Sequence, residues 1–449
     1  MDLNLLFSSS LLSSPITLAV TSSIASYFLI PILLGARRQN WKNAPPGPVG
    51  LPIFGSLFHL SQRFHEEFYE LAKIYGPLFS LNLGLKPAIV VSSPEMDMEV
   101  MKEKEAEAAF TVLANLVSNI VCSKSLFDNS KPEGRKMKEM FSELIKVIGT
   151  PNFSDLIPVV KPLDTQGLKR RISRVFNQLD AFYEKLIEER LAERAGKAEK
   201  LENVANNFGK KDMLDVLLSF KSNDKENGLE QFPRKIIKGM LSEMFIAGTE
   251  TSSSTVEWGM TEVLKKPDVL KKLVQELDQV IGNNRFMVES DIPNLPYLQA
   301  TVKEVFRLHP AVPLIVPRRS NEACEVAGYH IPKHCIVYVN VWGMARDPKV
   351  WDNPLEFKPE RFLGSTVDVK GQDFNLLPFG AGRRSCVGWP LAHRIVHYYL
   401  AALLHAFEWE SPPEILNDMH ERIGLTIQKD KSLLSTPKPR LPPSVYEYN

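Results

Sequence analysis

Pro378-Phe379-Gly380-Ala381-Gly382-Arg383-Arg384-Ser385-Cys386-Val387-Gly388 is the stretch on which the reading of this chain turns. One cysteine sits in a glycine-rich turn, with arginines just before it and an apolar helix pattern beyond. The three glycines permit backbone angles that a side chain forbids. Such a turn crowds backbone N–H groups round the sulfur, which stabilises a thiolate and lowers the thiol pKa. A buried thiolate of that kind suits the axial position of a haem iron, where sulfur pushes electron density towards bound oxygen. Arg384, two residues earlier, has the reach to pair with a haem propionate. The plainer alternative is a structural cysteine after a turn, the usual state of a lone cysteine in a large protein.

The rest of the chain sets the frame. It has 449 residues and a net charge of +1, with no long basic run, so nothing points to nucleic acid. Its four cysteines (Cys122, Cys324, Cys335, Cys386) lack CxxC spacing, which argues against a zinc site or a disulfide framework. From Leu11 to Leu34 there is no charge, a length that spans a bilayer as a helix. Arg37-Arg38 follow at once, which orients the span with its N-terminus lumenal and the body cytosolic. A cleaved signal peptide would need a basic segment ahead of it, and none is there. Residues 1–36 thus read as a membrane anchor. Residues 37–52, with Ala44-Pro45-Pro46-Gly47-Pro48, read as a stiff hinge, and 53–449 as the catalytic body.

Within the body, Phe64 to Tyr75 reads as a helix, followed by two strands, Leu78 to Gly84 and Ala88 to Ser92. Pro94 to Lys104 opens another helix, and a helical region runs from about Ala106 to Gly228, broken by polar loops at 200–211 and 222–228. Lys235 to Lys265 predicts a long core helix. It carries a polar cluster, Ala247-Gly248-Thr249-Glu250-Thr251-Ser252, whose glycine and threonines should distort the helical ladder and leave a groove. Alone, such a cluster more often marks a helix end. Tyr297 to His309 is a helix stopped by Pro310, with Glu304 and Arg307 on one face. Cys324 to Val341 reads as short paired strands with a turn at Gly328. After the cysteine, Leu391, Ile395, Tyr399, Leu403 and Phe407 recur every four residues as a buried helical stripe.

Written as Phe-x-x-Gly-x-Arg-x-Cys-x-Gly, at Phe379, Gly382, Arg384, Cys386 and Gly388, the loop resembles the haem-binding loop of the cytochrome P-450 monooxygenases. One departure is Val387, where plant members usually carry proline. The helical cluster resembles the family's Ala/Gly-Gly-x-Asp/Glu-Thr motif, and Glu304, Arg307 and Phe357-Lys358-Pro359-Glu360-Arg361-Phe362 resemble its scaffold motifs. The resemblance implies a mainly α fold with small β-sheets behind an N-terminal transmembrane helix. It implies Cys386 as iron ligand to haem b (iron protoporphyrin IX), with Phe379, Gly382, Gly388, Arg384 and Arg318 holding the cofactor. Thr251 would hydrogen-bond iron-bound oxygen and Glu250 relay protons. Ala247, Val312 and Ile315 would line the substrate pocket, and Glu304, Arg307 and Arg361 would lock the core. The implied partners are a NADPH-dependent flavoprotein reductase, O2, membrane lipid of the endoplasmic reticulum, and a small apolar substrate. NADPH would enter only through the reductase.

The wording of Phe245-Ile246-Ala247-Gly248-Thr249 and of Gly388-Trp389-Pro390-Leu391-Ala392-His393-Arg394 looks plant-like. It is similar to the group containing geraniol and N-methylcoclaurine hydroxylases, hence an expected alkaloid or terpenoid substrate. Phenol coupling and radical rearrangement are the rival reactions of the same fold. A different departure points elsewhere. No tryptophan occurs between Trp41 and Trp258, so the family's Trp-x-x-x-Arg propionate anchor is missing. Sequence from Glu95 runs almost directly into Ala108-Ala109-Phe110-Thr111, which resembles a later family helix. The chain therefore reads as internally shortened near 102–108. That keeps open a haem-poor, inactive relative.

Overall fold

An amphipathic run bounded by Gly76 and Pro77 gives helix α1 (Phe64–Tyr75), as predicted, with His65 and Phe68 on its buried side. The computed structural model describes residues 44–48, 56, 64–83, 86–92, 115–124, 126, 132–150, 152, 164–200, 211–221, 231–423, 426–431, 433 and 435–447. The expected membrane span, both ends of the hinge (37–43 and 49–52), the helix from Pro94, the region near 102–108 and most of the two polar loops lie outside these residues. Among the described residues no helix is long and apolar enough to cross a membrane.

The fold is mainly helical with small sheets. Strands β1 (Leu78–Leu83) and β2 (Lys86–Val91) form the predicted antiparallel pair, with Leu81 opposite Ala88. Helices α2 (Asn115–Cys122), α3 (Pro132–Gly149), α4 (Leu168–Lys200) and α5 (Met213–Ser219) follow. The predicted core helix is α6 (Arg234–Lys265), and its neighbours are α7 (Pro267–Val280) and α8 (Pro296–Leu308). Strands β3 (Arg318–Arg319), β4 (Cys324–Val326), β5 (Tyr329–Ile331) and β6 (Ile336–Val339) come next. Only β4 and β5 pair as a hairpin about Gly328. β6 instead joins β2 in parallel, giving the four-stranded order β1-β2-β6-β3. After the short helix α9 (Val341–Met344), helix α10 (Trp389–Ala406) leads into β7 (Phe407–Glu410). The chain closes with hairpin β8 (Glu421–Ile423) and β9 (Ile427–Lys429), and with β10 (Thr436–Pro439) paired to β7.

The N-terminal half of α6 packs with α2 to α5 through Leu241, Met244 and Phe245, and its C-terminal half packs with α7, α8 and α10 through Trp258, Met260 and Val263. At Gly259 the three central helices meet. A methyl group there would stand 3.4 Å from Val305 of α8 and 3.5 Å from Leu400 of α10. The expected stripe on α10 needs correcting. Ile395 is buried, but Tyr399 is 47% exposed, and the buried side runs through Val396, Leu400, Ala401 and Leu404. Four-residue steps overshoot the 3.6-residue turn by about 40° each, so the sequence stripe walks off the core face.

The hinge is more than a linker. Ser80 of β1 donates its backbone N–H to Pro46 O at 2.7 Å and its hydroxyl to Pro45 O at 2.7 Å. A Cβ on Gly47 would overlap the Ser80 carbonyl oxygen, so only glycine fits that approach.

The scaffold motifs form one buried charge network. Arg307 donates Nε to Glu304 Oε2 at 2.7 Å and Nη2 to Oε1 at 2.8 Å, and both side chains are fully buried. Arg361 Nε and the Lys358 amide also donate to Glu304 Oε1, at 3.0 and 2.8 Å. The guanidiniums spend their remaining donors on carbonyls of Ala345, Pro354 and Glu356 (Arg307) and of Asp352, Asn353 and Glu356 (Arg361). Removing one partner strands the others without water, a cost of about 3–5 kcal/mol. Glu304→Leu should therefore lower the urea-unfolding free energy by about that amount, or leave no folded protein, whereas Lys73→Ala, in a surface pair with Glu70, should change it by less than about 1 kcal/mol.

α10 also buries a titratable group. Burial pushes His397 down from 6.5 to about 3, and its Nε2 is buried without a hydrogen-bond partner. The folded state holds this ring neutral, while the unfolded chain takes up a proton below its ordinary value. Stability should thus be lost as pH falls from about 6.5 to about 3, by up to about 1.4 kcal/mol per pH unit. His397→Leu should flatten that limb in denaturant titrations across this range; an unchanged limb would assign the acid sensitivity elsewhere.

Candidate active site

The cysteine loop is tied at both ends. Phe379 packs edge-on against Phe306 of α8, with ring centroids 5.1 Å apart, and its carbonyl accepts the Cys386 N–H at 2.8 Å. Between them a single turn of tight helix, Gly382–Arg384, ends where Ser385 N–H meets Gly382 O at 3.1 Å. Gly380 and Gly382 take φ of +68° and +69°, the left-handed conformation that favours glycine. Gly388 does not. Its φ is −83°, open to any residue, and its place is fixed instead by burial ahead of α10. A second glycine outside the motif matters more. A Cβ on Gly371 (φ +79°) would approach Gly380 O to 2.7 Å, so the turn at 371 must be bare to lie against the loop.

Two predicted residues meet this loop. Ile315 stands 3.7 Å from where a Cβ on Gly380 would lie, and it holds φ at +52°, a strained value for a β-branched residue. Arg318 of β3 donates Nη2 to Ala381 O at 3.2 Å. Val312 is half-buried, and Arg384 is exposed on the turn. None of the four cysteines forms a disulfide. Burial raises the Cys122 thiol and pushes Cys335 up to about 12, so both stay protonated. Cys386 differs in standing half-buried at the mouth of a glycine turn.

The core helix holds the predicted cluster without breaking: α6 is continuous from Arg234 to Lys265. The hydroxyls turn back along it. Thr249 donates to Phe245 O at 2.6 Å, Thr251 to Ala247 O at 2.7 Å, and Thr255 to Thr251 O at 2.8 Å. A hydroxyl whose hydrogen is spent on the turn below keeps its oxygen lone pairs to accept. Gly248 is buried, and Ala247 and Thr251 are half-buried. Leu391 and Ile395, just beyond the cysteine, pack in the same cluster as Met244 and Phe245, so α10 and α6 are joined beside both motifs.

Glu250 is the most unusual group of the set. Burial raises its pKa, opposed by hydrogen bonding from Thr426 and Gln428 and by the charge of Arg422. Gln428 Nε2 donates to its Oε1, while Oε2 is buried with no hydrogen bond of good geometry. Sequence reading missed Thr426 and Gln428, because they lie far along the chain, at and within the short strand β9. It also missed His309, whose Nε2 lies 2.7 Å from Glu262 and whose ring stacks on Trp258 at 4.1 Å. That pair opens on a cleft of about 540 Å³ that the cysteine loop does not line.

These residues fit a thiolate-held haem. A soft sulfur sits at a turn whose close backbone approaches need bare glycines, and Arg318 stands beside it. The comparisons agree. The family described as Cytochrome P450 matches residues 45–120 and 106–435; its members are monooxygenases that hold haem through a thiolate and take electrons from a reductase. Iridoid oxidase of Catharanthus roseus is 36% identical over 517 residues, covering 95% of this chain and 98% of that protein. Geraniol 8-hydroxylase of the same plant is 35% identical, covering 88% and 94%. A probable (S)-N-methylcoclaurine 3'-hydroxylase isozyme of Coptis japonica is 36% identical, covering 95% and 99%. With the cysteine loop, the hydroxyl-lined helix and these matches in agreement, the chain belongs to the cytochrome P450 family and is a haem-thiolate monooxygenase.

Proposed function

We propose that Cys386 is the iron ligand and that the chain hydroxylates a small apolar plant metabolite of the terpenoid or alkaloid class. The observation that carries the ligand assignment is the loop closed by Cys386 N–H on Phe379 O, with Arg318 on its flank. Arg318 and Arg384 are the residues for the propionates, and Phe379, Gly382 and Gly388 shape the seat. The haem, when bound, supplies oxygen activation. Thr251 Oγ1, with its hydrogen committed to Ala247 O, keeps its lone pairs to accept a hydrogen bond from bound oxygen or water. Glu250 stores the proton to be passed inward. Ala247, Val312 and Ile315 form apolar walls, so the substrate is held by shape more than by hydrogen bonds. The substrate class rests on relatives named for iridoid, geraniol and N-methylcoclaurine oxidation. The uncharged stretch from Leu11 to Leu34 and the basic pair after it support a single-pass anchor in the endoplasmic reticulum with the body cytosolic.

A second reading has its own support. The family matches in two stretches that overlap at 106–120, and the alignment with iridoid oxidase runs over 517 residues against a chain of 449. We therefore propose an internal shortening near 102–108 that removes the tryptophan–arginine propionate anchor. Arg318 and Arg384 then carry more of the cofactor's charge. A chain that fails to retain haem is the alternative outcome.

Carbon monoxide added to reduced microsomes carrying this protein should give a strongly red-shifted Soret band. Cys386→His should move it to the position of neutral-ligand haem. No red-shifted band in the parent protein would assign the chain to the haem-poor alternative. In the loaded enzyme, Thr251→Ala should divert reductase-supplied electrons to hydrogen peroxide and lower product by up to about 10²-fold. Unchanged partition would remove Thr251 from oxygen handling.

A further inference from the structure

The hairpin β8–β9 is fastened under the acid of α6. Ser254 Oγ donates to Ile427 O at 2.7 Å in a buried bond, and Ile427 N–H donates to Ala311 O at 2.9 Å. The strand's backbone is thereby held between α6 and the loop after α8. On that strand Gln428 pairs in register with Arg422 of β8. Arg422 Nη2 donates to Gln428 Oε1, and Gln428 Nε2 donates to Glu250 Oε1.

The order of these groups is chemically determined. A guanidinium only donates, so the amide must turn its oxygen to Arg422, and its NH2 is then left facing Glu250. Arg422 is exposed, while Gln428 and Glu250 are half-buried, with the Glu250 Oε2 atom itself shut off from solvent. One row of hydrogen bonds therefore leads from an exposed cation to a half-buried carboxyl, whose residue lies 178 positions before Gln428 in the chain. It holds one carboxyl oxygen and leaves the other, Oε2, uncommitted.

We infer that Gln428 is the positioning residue that aims the Glu250 carboxyl, and that the hairpin thereby governs proton delivery along α6. The inference rests on the role proposed for Glu250 and adds to it a residue outside the helix. Burial favours the neutral carboxyl, while Gln428, Thr426 and the charge of Arg422 favour the ionised one. The clamp sets that balance. It also keeps the side chain from rotating to the rotamers that solvent would offer.

The full chain should be compared with Gln428→Ala, Gln428→Glu and Gln428→Arg, using Glu250→Gln as reference. The first readout is the infrared carboxyl band that vanishes in Glu250→Gln, followed against pH. It does not require turnover. Removing the donor in Gln428→Ala should move its midpoint upward. Gln428→Glu should move it further, because a second carboxyl faces the first. Gln428→Arg, which retains a donor, should return it towards the parent. The second readout is the hydrogen peroxide share of NADPH oxidised with reductase and 7-ethoxycoumarin as probe. That share should rise in the Ala and Glu variants and fall back in the Arg variant. An unmoved midpoint, or an Arg variant as impaired as Ala, would overturn the clamp. A midpoint that moves while Glu250→Gln leaves the peroxide share unchanged would show that Gln428 orients a carboxyl without a part in catalysis. That result would overturn both the inference and the role given to Glu250, whereas an unmoved midpoint leaves the latter standing.

Discussion

The rest of the structure depends on a carboxylate that water never reaches. Glu304 is fully buried and accepts from Arg307, from Arg361 and from the amide of Lys358. The two guanidiniums in turn gather carbonyls between Ala345 and Glu356, so an irregular stretch of chain becomes as defined as a helix. Both cations also face the ring of Trp351, at 5.4 and 5.9 Å. Next to Arg307 in sequence is Phe306, whose ring meets Phe379 at the start of the cysteine loop. A network with no chemistry of its own therefore sets where the sulfur stands.

α6 solves a different problem: how to put hydroxyls and a carboxyl in the middle of a protein. Threonines at 249, 251 and 255 return their hydrogens to the turn below, so each polar atom is satisfied without a partner from another element. The helix runs on unbroken, and its threonines bond back to the preceding turn as expected, which leaves their oxygens as acceptors. Glu250 cannot be satisfied within its own helix, and the C-terminal hairpin supplies what it lacks. The site is thus assembled from a helix, a turn and a hairpin drawn from separate parts of the chain.

What could be read in advance follows the range of the interactions. α1, the β1–β2 pair and α6 were legible because amphipathic period and bounding glycine or proline are local properties. The Glu304–Arg307 pair was legible through three-residue spacing, and Arg361 through family likeness. The clamp on Glu250 was not, since nothing in Arg422, Thr426 or Gln428 distinguishes them from solvated strand residues. The stripe on α10 misled because its step of four differs from the true helical period. Gly388 misled because a glycine was credited with conformational need where burial was the reason, while Gly371, which truly must be bare, stands outside any motif.

The seating of Ala44–Pro48 on the sheet carries a mechanical consequence. Two bonds from Ser80 and the steric demand for glycine at 47 make this segment part of the body's rim. A chain that leaves a protein through a loose tether can swivel. One that leaves from a strand edge inherits the strand's direction. The backbone at Ala44–Pro48 is therefore held on a fixed bearing by the rim of a small sheet.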